Sequence, residues 1–243
     1  MIKGVILAGG AGTRLHPITK VTSKQLLPLY NKPMIYFPIQ TLLDAGVRDI
    51  LIIVSPEHSG DFINLLGSGK EFGDDVRFSY EVQDAPLGLA HGLGLARNFA
   101  KGHKCSLILG DNLFTDSFKD IYDEFNTSGS GAVIFAKEVK DPRRFGVIEF
   151  DDQMNAISIE EKPEHPKSNY AQTGLYIYDE HVFDYIDQLT PSPRGELEIT
   201  DLHKIYLEKG QLQARLTDGV WQDTGTFKSM FRAAEIVRDL EQS

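Results

Sequence analysis

The sequence predicts an α/β fold: a Rossmann-like, mostly parallel sheet with helices on both faces and a small antiparallel insertion in its second half. Three observations lead there. Short runs rich in Val, Ile and Leu alternate with helical stretches over the first half of the chain. The first of these runs opens into a glycine-rich loop in VILAGGAGTRLHPITK, Val5–Lys20. Near Phe145 the rhythm changes, and strand-like runs follow one another with only turns between them.

In chain order, Lys3–Ala8, Ile50–Ser55, Arg77–Gln83, Ser106–Gly110 and Ala132–Lys137 read as strands bounded by turn residues. Between them, Met34–Ala45, Asp61–Leu66, Leu87–Phe99 and Phe118–Phe125 read as helices. Such a βαβα order gives a largely parallel sheet covered on both faces. Ligands of these sheets lie beyond the carboxyl ends of the strands. The runs FGVIEFDD, AISIEEK and YAQTGLYIYD are then expected as antiparallel strands, followed by helices at Glu180–Leu189 and Glu198–Glu208. A strand at Leu212–Leu216 and the segment GVWQDTG precede a final helix. That helix carries Phe227, Met230, Phe231, Ala234 and Val237 at helical spacing, and this face is expected to dock on the body. Without a repeat, low-complexity tract or linker, residues 1–243 are expected to form one domain. Its halves span about 1–140 and 141–225, with the C-terminal helix at 226–243.

A chain of 243 residues that is 41% apolar can bury a sizeable core. Its formal charge of -10 argues against a nucleic-acid partner, so any phosphate it handles is expected to be small, locally clamped and metal-bound. The one cysteine, Cys105, lies in the apolar run KCSLILGD and reads as buried packing; its solitude fits a reducing compartment. With no leader and no apolar run near the roughly 18 residues that span a bilayer, a soluble, cytoplasmic protein without a membrane partner is expected. Seven scattered histidines show no zinc-ligand spacing, and no G-x-S-x-G hydrolase elbow occurs.

The glycine loop fits neither common phosphate motif. A dinucleotide fingerprint starting at Gly10 finds Gly12 but then Leu15 in place of its third glycine. A P-loop ends in G-K-[ST], whereas here Gly12 is followed by Thr13 and Arg14. A plain glycine turn stays open on the loop alone. Two cations weigh against it: Arg14 directly after the glycines, and Lys24 in SKQLLPLYNKP. Glycines let backbone N–H groups approach a phosphate, and a planar Arg with a point-charge Lys can grip its oxygens.

Read together, GGAGTRLHPIT, SKQLLP, VQDAPLGLA, LILGDN, DPRRFGV, IEEKP, SNYAQTGLY, PRGELEITD and WQDTGT occur in order along almost the whole chain. In this the sequence resembles the sugar-1-phosphate nucleotidylyltransferases, in the branch that transfers thymidylyl to glucose 1-phosphate. The lysine segment KQLLP differs from the K-P-A of the ADP-glucose branch. The resemblance implies a nucleotide-diphospho-sugar transferase fold, with a nucleotide half followed by a sugar-phosphate half. It implies dTTP and glucose 1-phosphate as substrates, dTDP-glucose and pyrophosphate as products, Mg²⁺ as cofactor, and an early step of deoxysugar synthesis of the dTDP-rhamnose type.

The attacking sugar phosphate is already an anion, so the burden on such a site is electrostatic rather than basic. By resemblance, Arg14 and Lys24 are the catalytic cations. Leu7, Gly9, Gly10, Gly12, Thr13 and Asp111 would line the nucleotide, and Gln83 and Gly88 would meet the base. Asp111 and Asp223, each ending an apolar run, would hold the metal. Mg²⁺ takes one or two carboxylates plus phosphate oxygens. Lys162 and Arg194 would hold the sugar phosphate. Asn112, Gly146, Glu161 and Thr173 would contact the sugar, with Tyr176 at the pocket wall or in the core. A methyl separates thymine from uracil, so UTP or another hexose 1-phosphate stays open as an alternative, as does a non-catalytic nucleotide-sugar sensor. Longer relatives carry a further C-terminal segment tied to tetramers and a second nucleotide site. The chain ends soon after its last helix, so such feedback control is not expected and the oligomeric state is open.

Overall fold

The computed structural model describes residues 1–242, the side chain of Ser128 aside. The chain opens with β1 (Ile2–Ala8), the short hairpin β2 (Pro28–Leu29) and β3 (Lys32–Pro33), and α1 (Tyr36–Asp44). It continues through β4 (Asp49–Val54), α2 (Ser59–Leu66), β5 (Arg77–Val82), α3 (Leu89–Leu95) and β6 (Lys104–Leu109). Then come β7 (Asn112–Phe114), α4 (Lys119–Ser128), β8 (Ala132–Glu138), β9 (Gly146–Phe150), β10 (Ala156–Glu161) and β11 (Tyr170–Tyr178). The last elements are α5 (Val182–Ile186), α6 (Ile199–Glu208), β12 (Leu212–Leu216), β13 (Trp221–Asp223) and α7 (Phe227–Gln242).

Nine of these strands form one mixed sheet. β1 is its pivot, paired in parallel with β4 and β6, while β5 extends the parallel edge beyond β4. β11 lies antiparallel to β6, β8 and β9, and β12 joins β8 in parallel. The antiparallel strands are therefore a continuation of the main sheet through β11, with β9 and β10 branching from its N-terminal end.

The continuous apolar runs follow from burial on both faces. Ile2, Ile6 and Ala8 of β1 pack into one core with Ile39 and Leu42 of α1, Phe62 of α2 and Phe125 of α4. Val5 and Leu7 face a second core with Leu93 of α3, Phe183 of α5 and Leu202 and Tyr206 of α6. Cys105 is fully buried there, as its apolar setting predicts.

Three expectations need correction. α3 is shorter than Leu87–Phe99: Gly88 is held outside the helix at φ +103, and tight Ala96–Leu93 and Arg97–Gly94 backbone bonds close the other end. α5 likewise covers only Val182–Ile186 of the expected Glu180–Leu189, ending in tight turns at Gln188 and Leu189. The docking face of α7 is also rotated. Ala233 and Val237, with Met230 and Ile236 beside them, pack on Leu29, Met34 and Leu113, whereas Phe227 and Phe231 are 44% and 66% exposed. The footing of this helix is the small β2–β3 hairpin, where Asn31 and Lys32 bind Glu241. Among the described residues, no helix is long and apolar enough to cross a membrane.

Candidate active site

The loops that leave the carboxyl ends of β1, β4, β5 and β6 border a groove with three connected cavities. The first, about 330 Å³, lies between the glycine loop (Gly9, Gly10, Ala11), the loop after β4 and Gln83–Pro86. The second, about 210 Å³, is reached past Gly9, Gly10 and Gln83 and runs over Leu7, Lys24, Gly88 and Asp111. The third, about 450 Å³, shares Leu89, Leu109, Asp111 and Glu196 with the second and extends over β9, β10 and β11.

The glycine loop turns at Gly12, whose φ of +61 is left-handed and whose carbonyl accepts bonds from the Leu15 N–H and the Thr19 hydroxyl. This lifts Arg14 out of the loop in a short 3₁₀ turn. A side-chain carbon at Gly225 would sit 2.7 Å from Nη2 of Arg14, so the guanidinium reaches the loop after β13 and lines the third cavity. Thr13 is exposed and, like Gly12, lines none of the three cavities.

Pairing of β7 with β13 sets Asp223 opposite Asn112, beside Asp111. Thr224 fixes the crossover, bonding the Asp111 carbonyl through its N–H (3.0 Å) and its hydroxyl (2.6 Å). Lys24 lies under the glycines and donates to Oδ2 of Asp111, both side chains being nearly buried. Burial alone would raise the Asp111 pKa, but the Lys24 charge and its hydrogen bond, with the Asn112 amide, hold it below the usual range. Asp223 goes the other way. Burial, and then the negative charge of Asp111, push it up against the weaker pull of Lys24, Arg14 and Arg144. The result is a pair of neighbouring carboxylates of which one, Asp111, is matched by Lys24, while the other, Asp223, has no ion pair among the described residues. That fits a divalent cation, and the hard oxygen donors suit Mg²⁺, which completes its shell with phosphate oxygens and water. Among the described residues no cluster of three or more His, Cys, Asp or Glu offers a different metal site.

Gln83 follows β5 and lines the first two cavities. Its Nε2 donates to the Gly88 carbonyl (3.3 Å) and to Nδ1 of His91 (3.0 Å). Its Oε1 faces Gly9, where an added Cβ would lie 3.4 Å away. That oxygen is thus turned to the groove as an acceptor. Gly88 has a second reason to be glycine. At φ +103, a Cβ there would stand 2.3 Å from the Leu197 carbonyl oxygen, so the close approach is to the protein's own backbone.

Around the third cavity, Glu161 accepts from Thr200 (2.6 Å) and Lys162 (2.6 Å). Lys162 adopts φ +44, a strained position for a non-glycine residue, at the end of β10. Arg194 faces the same cavity, but Glu198 accepts both of its nearest bonds from Nη2 at 2.9 Å, with Glu196 and Glu161 at 3.5 and 3.7 Å. Asn112 spends its side chain on the protein, donating to Asp111 (3.1 Å) and accepting from the Trp221 indole (2.6 Å). Gly146, Thr173 and Tyr176 all line the cavity, and the buried Thr173 hydroxyl has no hydrogen-bond partner among the described residues.

The nucleotidyl transferase family profile matches residues 3–239. The chain is 49% identical over 243 residues to a glucose-1-phosphate thymidylyltransferase of Neisseria gonorrhoeae, covering 99% of this chain and 84% of that protein. It is 50% identical over 242 residues to the Xanthomonas campestris enzyme of the same name, covering 98% and 81%. The chain belongs to the nucleotidyl transferase family. A Bacillus anthracis structure assigned as a glucose-1-phosphate thymidylyltransferase, in complex with sucrose, superposes with a TM-score of 0.93. It is 48% identical and covers 98% of this chain and 96% of that one. A UDP-glucose pyrophosphorylase complexed with UDP-glucose shares the fold at 24% identity and a TM-score of 0.87.

Several residues of this groove give little signal in the sequence alone. His91, which holds Gln83, sits in a helix whose apolar pattern gives no hint of it. Arg144, near Asp223, and Phe145, edge-on to Trp221 at 5.1 Å, were visible in DPRRFGV only as parts of a motif. Gln172 and His203 read as ordinary strand and helix residues, yet both are buried, and Gln172 lines the third cavity. Their signal is a polar side chain at a position whose neighbours are core.

Proposed function

We propose that this chain transfers the thymidylyl group of dTTP to glucose 1-phosphate, giving dTDP-glucose and pyrophosphate. Its high identity over nearly full length to relatives of that name supports the reading. The observation that carries it is the gathering of Lys24, Arg14, Asp111 and Asp223 where the second and third cavities join at Asp111.

In this reading the nucleotide occupies the first two cavities and the sugar phosphate the third. The Gln83 carbonyl accepts the imide N–H of the base, while Gly9 and Gly10 let the triphosphate approach the backbone over Lys24. A phosphate oxygen of the sugar phosphate attacks the α-phosphorus in line; the P–O bond to pyrophosphate breaks, and pyrophosphate leaves with the electron pair. No proton must be removed from the attacker, so no side chain need act as general base. Lys24 and Arg14 supply positive charge where negative charge gathers, at the α-phosphate and the departing pyrophosphate. Lys162 and Arg194 bring the sugar phosphate in, and the Glu198 pair keeps the Arg194 guanidinium oriented. Asp111 and Asp223 would hold Mg²⁺, which when bound neutralises phosphate oxygens and orients them.

Pyrophosphate release measured with dTTP, UTP, ATP and GTP against glucose, galactose and glucosamine 1-phosphates tests the proposal. The dTTP and glucose 1-phosphate pair should give the highest kcat/KM. A preference for UTP would move the chain to uridylyl transfer. Binding of dTTP with no product from any pair would show a sensor rather than an enzyme.

A further inference from the structure

Behind the third cavity runs a buried chain of hydrogen bonds that the proposed mechanism does not use. The Tyr178 hydroxyl meets Nε2 of His203 at 2.6 Å, Nδ1 of His203 meets Oε1 of Gln172 at 2.7 Å, and Nε2 of Gln172 meets the Tyr176 hydroxyl at 3.3 Å. Tyr178 and His203 are fully buried, Tyr176 and Gln172 almost so. Burial depresses the His203 pKa to about 3, so the ring is neutral and carries one N–H. An amide oxygen can only accept, which assigns that N–H to Nδ1. Nε2 must then accept from the Tyr178 O–H. The chain therefore has one direction, Tyr178 to His203 to Gln172, and it fixes which way the Gln172 amide faces.

With its oxygen committed to His203, Gln172 turns its NH₂ group the other way. One N–H reaches Tyr176; the second has no acceptor among the described residues. Gly146 stands beside this amide: a Cβ there would lie 3.5 Å from Nε2 of Gln172, in ordinary contact with it. The pairing of β11 with β8 shifts register between Gln172 and Tyr176, and within this irregular stretch both Gln172 and its neighbour Thr173 line the cavity. The Thr173 hydroxyl, in a residue only 1% exposed and without a partner among the described residues, is an independent sign that a polar ligand group completes this wall.

We infer that Gln172 is a specificity-determining residue whose free amide N–H donates to a hydroxyl of the bound hexose, with His203 and Tyr178 as positioning residues that lock it. The inference rests on the reading of this cavity as the sugar-phosphate pocket. A hydroxyl suits the spot better than a phosphate because the Glu161 carboxylate stands nearby, bound to Thr200 over the same glycine. A hydroxyl can donate to a carboxylate and accept from an amide, whereas a phosphate oxygen would be repelled.

The test is steady-state pyrophosphate release by the wild type, Gln172→Leu and Tyr178→Phe. Each is assayed with glucose 1-phosphate and its 2-, 3-, 4- and 6-deoxy analogues. Gln172→Leu should raise KM for glucose 1-phosphate about 5–10-fold while leaving KM for dTTP within about twofold. It should also abolish the wild type's penalty against one deoxy analogue and leave the others as they were. Tyr178→Phe keeps the ring and removes only the lock, and should move the same two readouts by about 2–3-fold. If Gln172→Leu fails to fold, Tyr178→Phe decides alone. Wild-type sugar KM and deoxy profile in the folded variants would overturn the inference while leaving thymidylyl transfer standing. A wild-type protein that makes no pyrophosphate from any sugar phosphate would bring down the functional reading, and this inference with it.

Discussion

Replacing Lys24 by methionine keeps most of the side chain's bulk and removes its charge from beneath the glycine loop. Two effects should follow from the geometry. Lys24 and Asp111 are paired with only 13% and 10% of their side chains exposed, and burial, then the charge of the same carboxylate, raises Asp223. Removing one partner of a buried pair costs about 3–5 kcal/mol, and the residual exposure argues for the lower end, about 3 kcal/mol. For a chain of this size that is a fall in Tm of roughly 6–12 °C. The pH dependence has a definite sign. In the wild type Asp111 is held below its ordinary pKa, so its contribution is present above the unfolded value and lost as pH falls through the folded one. In the variant both carboxylates are raised, so the destabilisation is full at neutral pH and shrinks as acid protonates them. The gap in denaturant midpoint between wild type and variant, without divalent metal, should thus be larger at pH 7 than at pH 4.5. Turnover at neutral pH should drop ~10²–10³-fold if the ammonium stabilises moving phosphate charge. Equal stability at pH 7 together with turnover within a few-fold of wild type would refute the reasoning.

Arg14 is exposed and spans to Gly225, so Arg14→Ala should leave Tm within a degree or two while cutting turnover ~10²–10³-fold; turnover near wild type would remove its catalytic role. Gly88→Ala forces a Cβ to within 2.3 Å of the Leu197 oxygen at a left-handed φ, and should cost about 2–4 kcal/mol in chemical denaturation. A loss under 0.5 kcal/mol would contradict that account. His203, with its pKa depressed to about 3, contributes stability that is intact above its unfolded pKa near 6.5. That stability is lost progressively as pH falls toward 3, by ~2 kcal/mol at pH 5. Urea midpoints between pH 7 and 5 should fall accordingly, and His203→Gln should flatten the slope; identical slopes would place the titration elsewhere.

What was legible in the sequence was the part governed by local pattern. The strands of the parallel half, the glycine loop and the strand-end positions of Asp111 and Asp223 were all readable from runs and turn residues. That the two aspartates meet depends on β13 crossing to pair with β7, a long-range pairing that no local signal encodes. Gly88 is expected from the sequence to meet the base, yet its backbone is also close to Leu197, because a glycine's need shows in sequence while its neighbour does not. The sequence marks Arg194 as a cation for the sugar phosphate but does not show its partner: Glu198, four residues on, holds it as a bidentate pair. Spacing along α7 marked Phe227 and Phe231 as docking residues. Of the expected face Met230 and Val237 do pack on the small hairpin, but Ala233 joins them in place of Phe227 and Phe231, because periodicity gives a face its width but not its direction.

We propose that Asp111 and Asp223, joined by a crossover and flanked by Lys24 and Arg14, form a metal-dependent nucleotidyl transfer site. The most direct test is dTDP-glucose formation as a function of Mg²⁺ concentration for the wild type and Asp223→Asn. The wild type should lose activity on chelation and regain it with added Mg²⁺, and the variant should need at least ~10-fold more Mg²⁺ for half-maximal rate. A variant with the same Mg²⁺ dependence and turnover as the wild type would contradict the account.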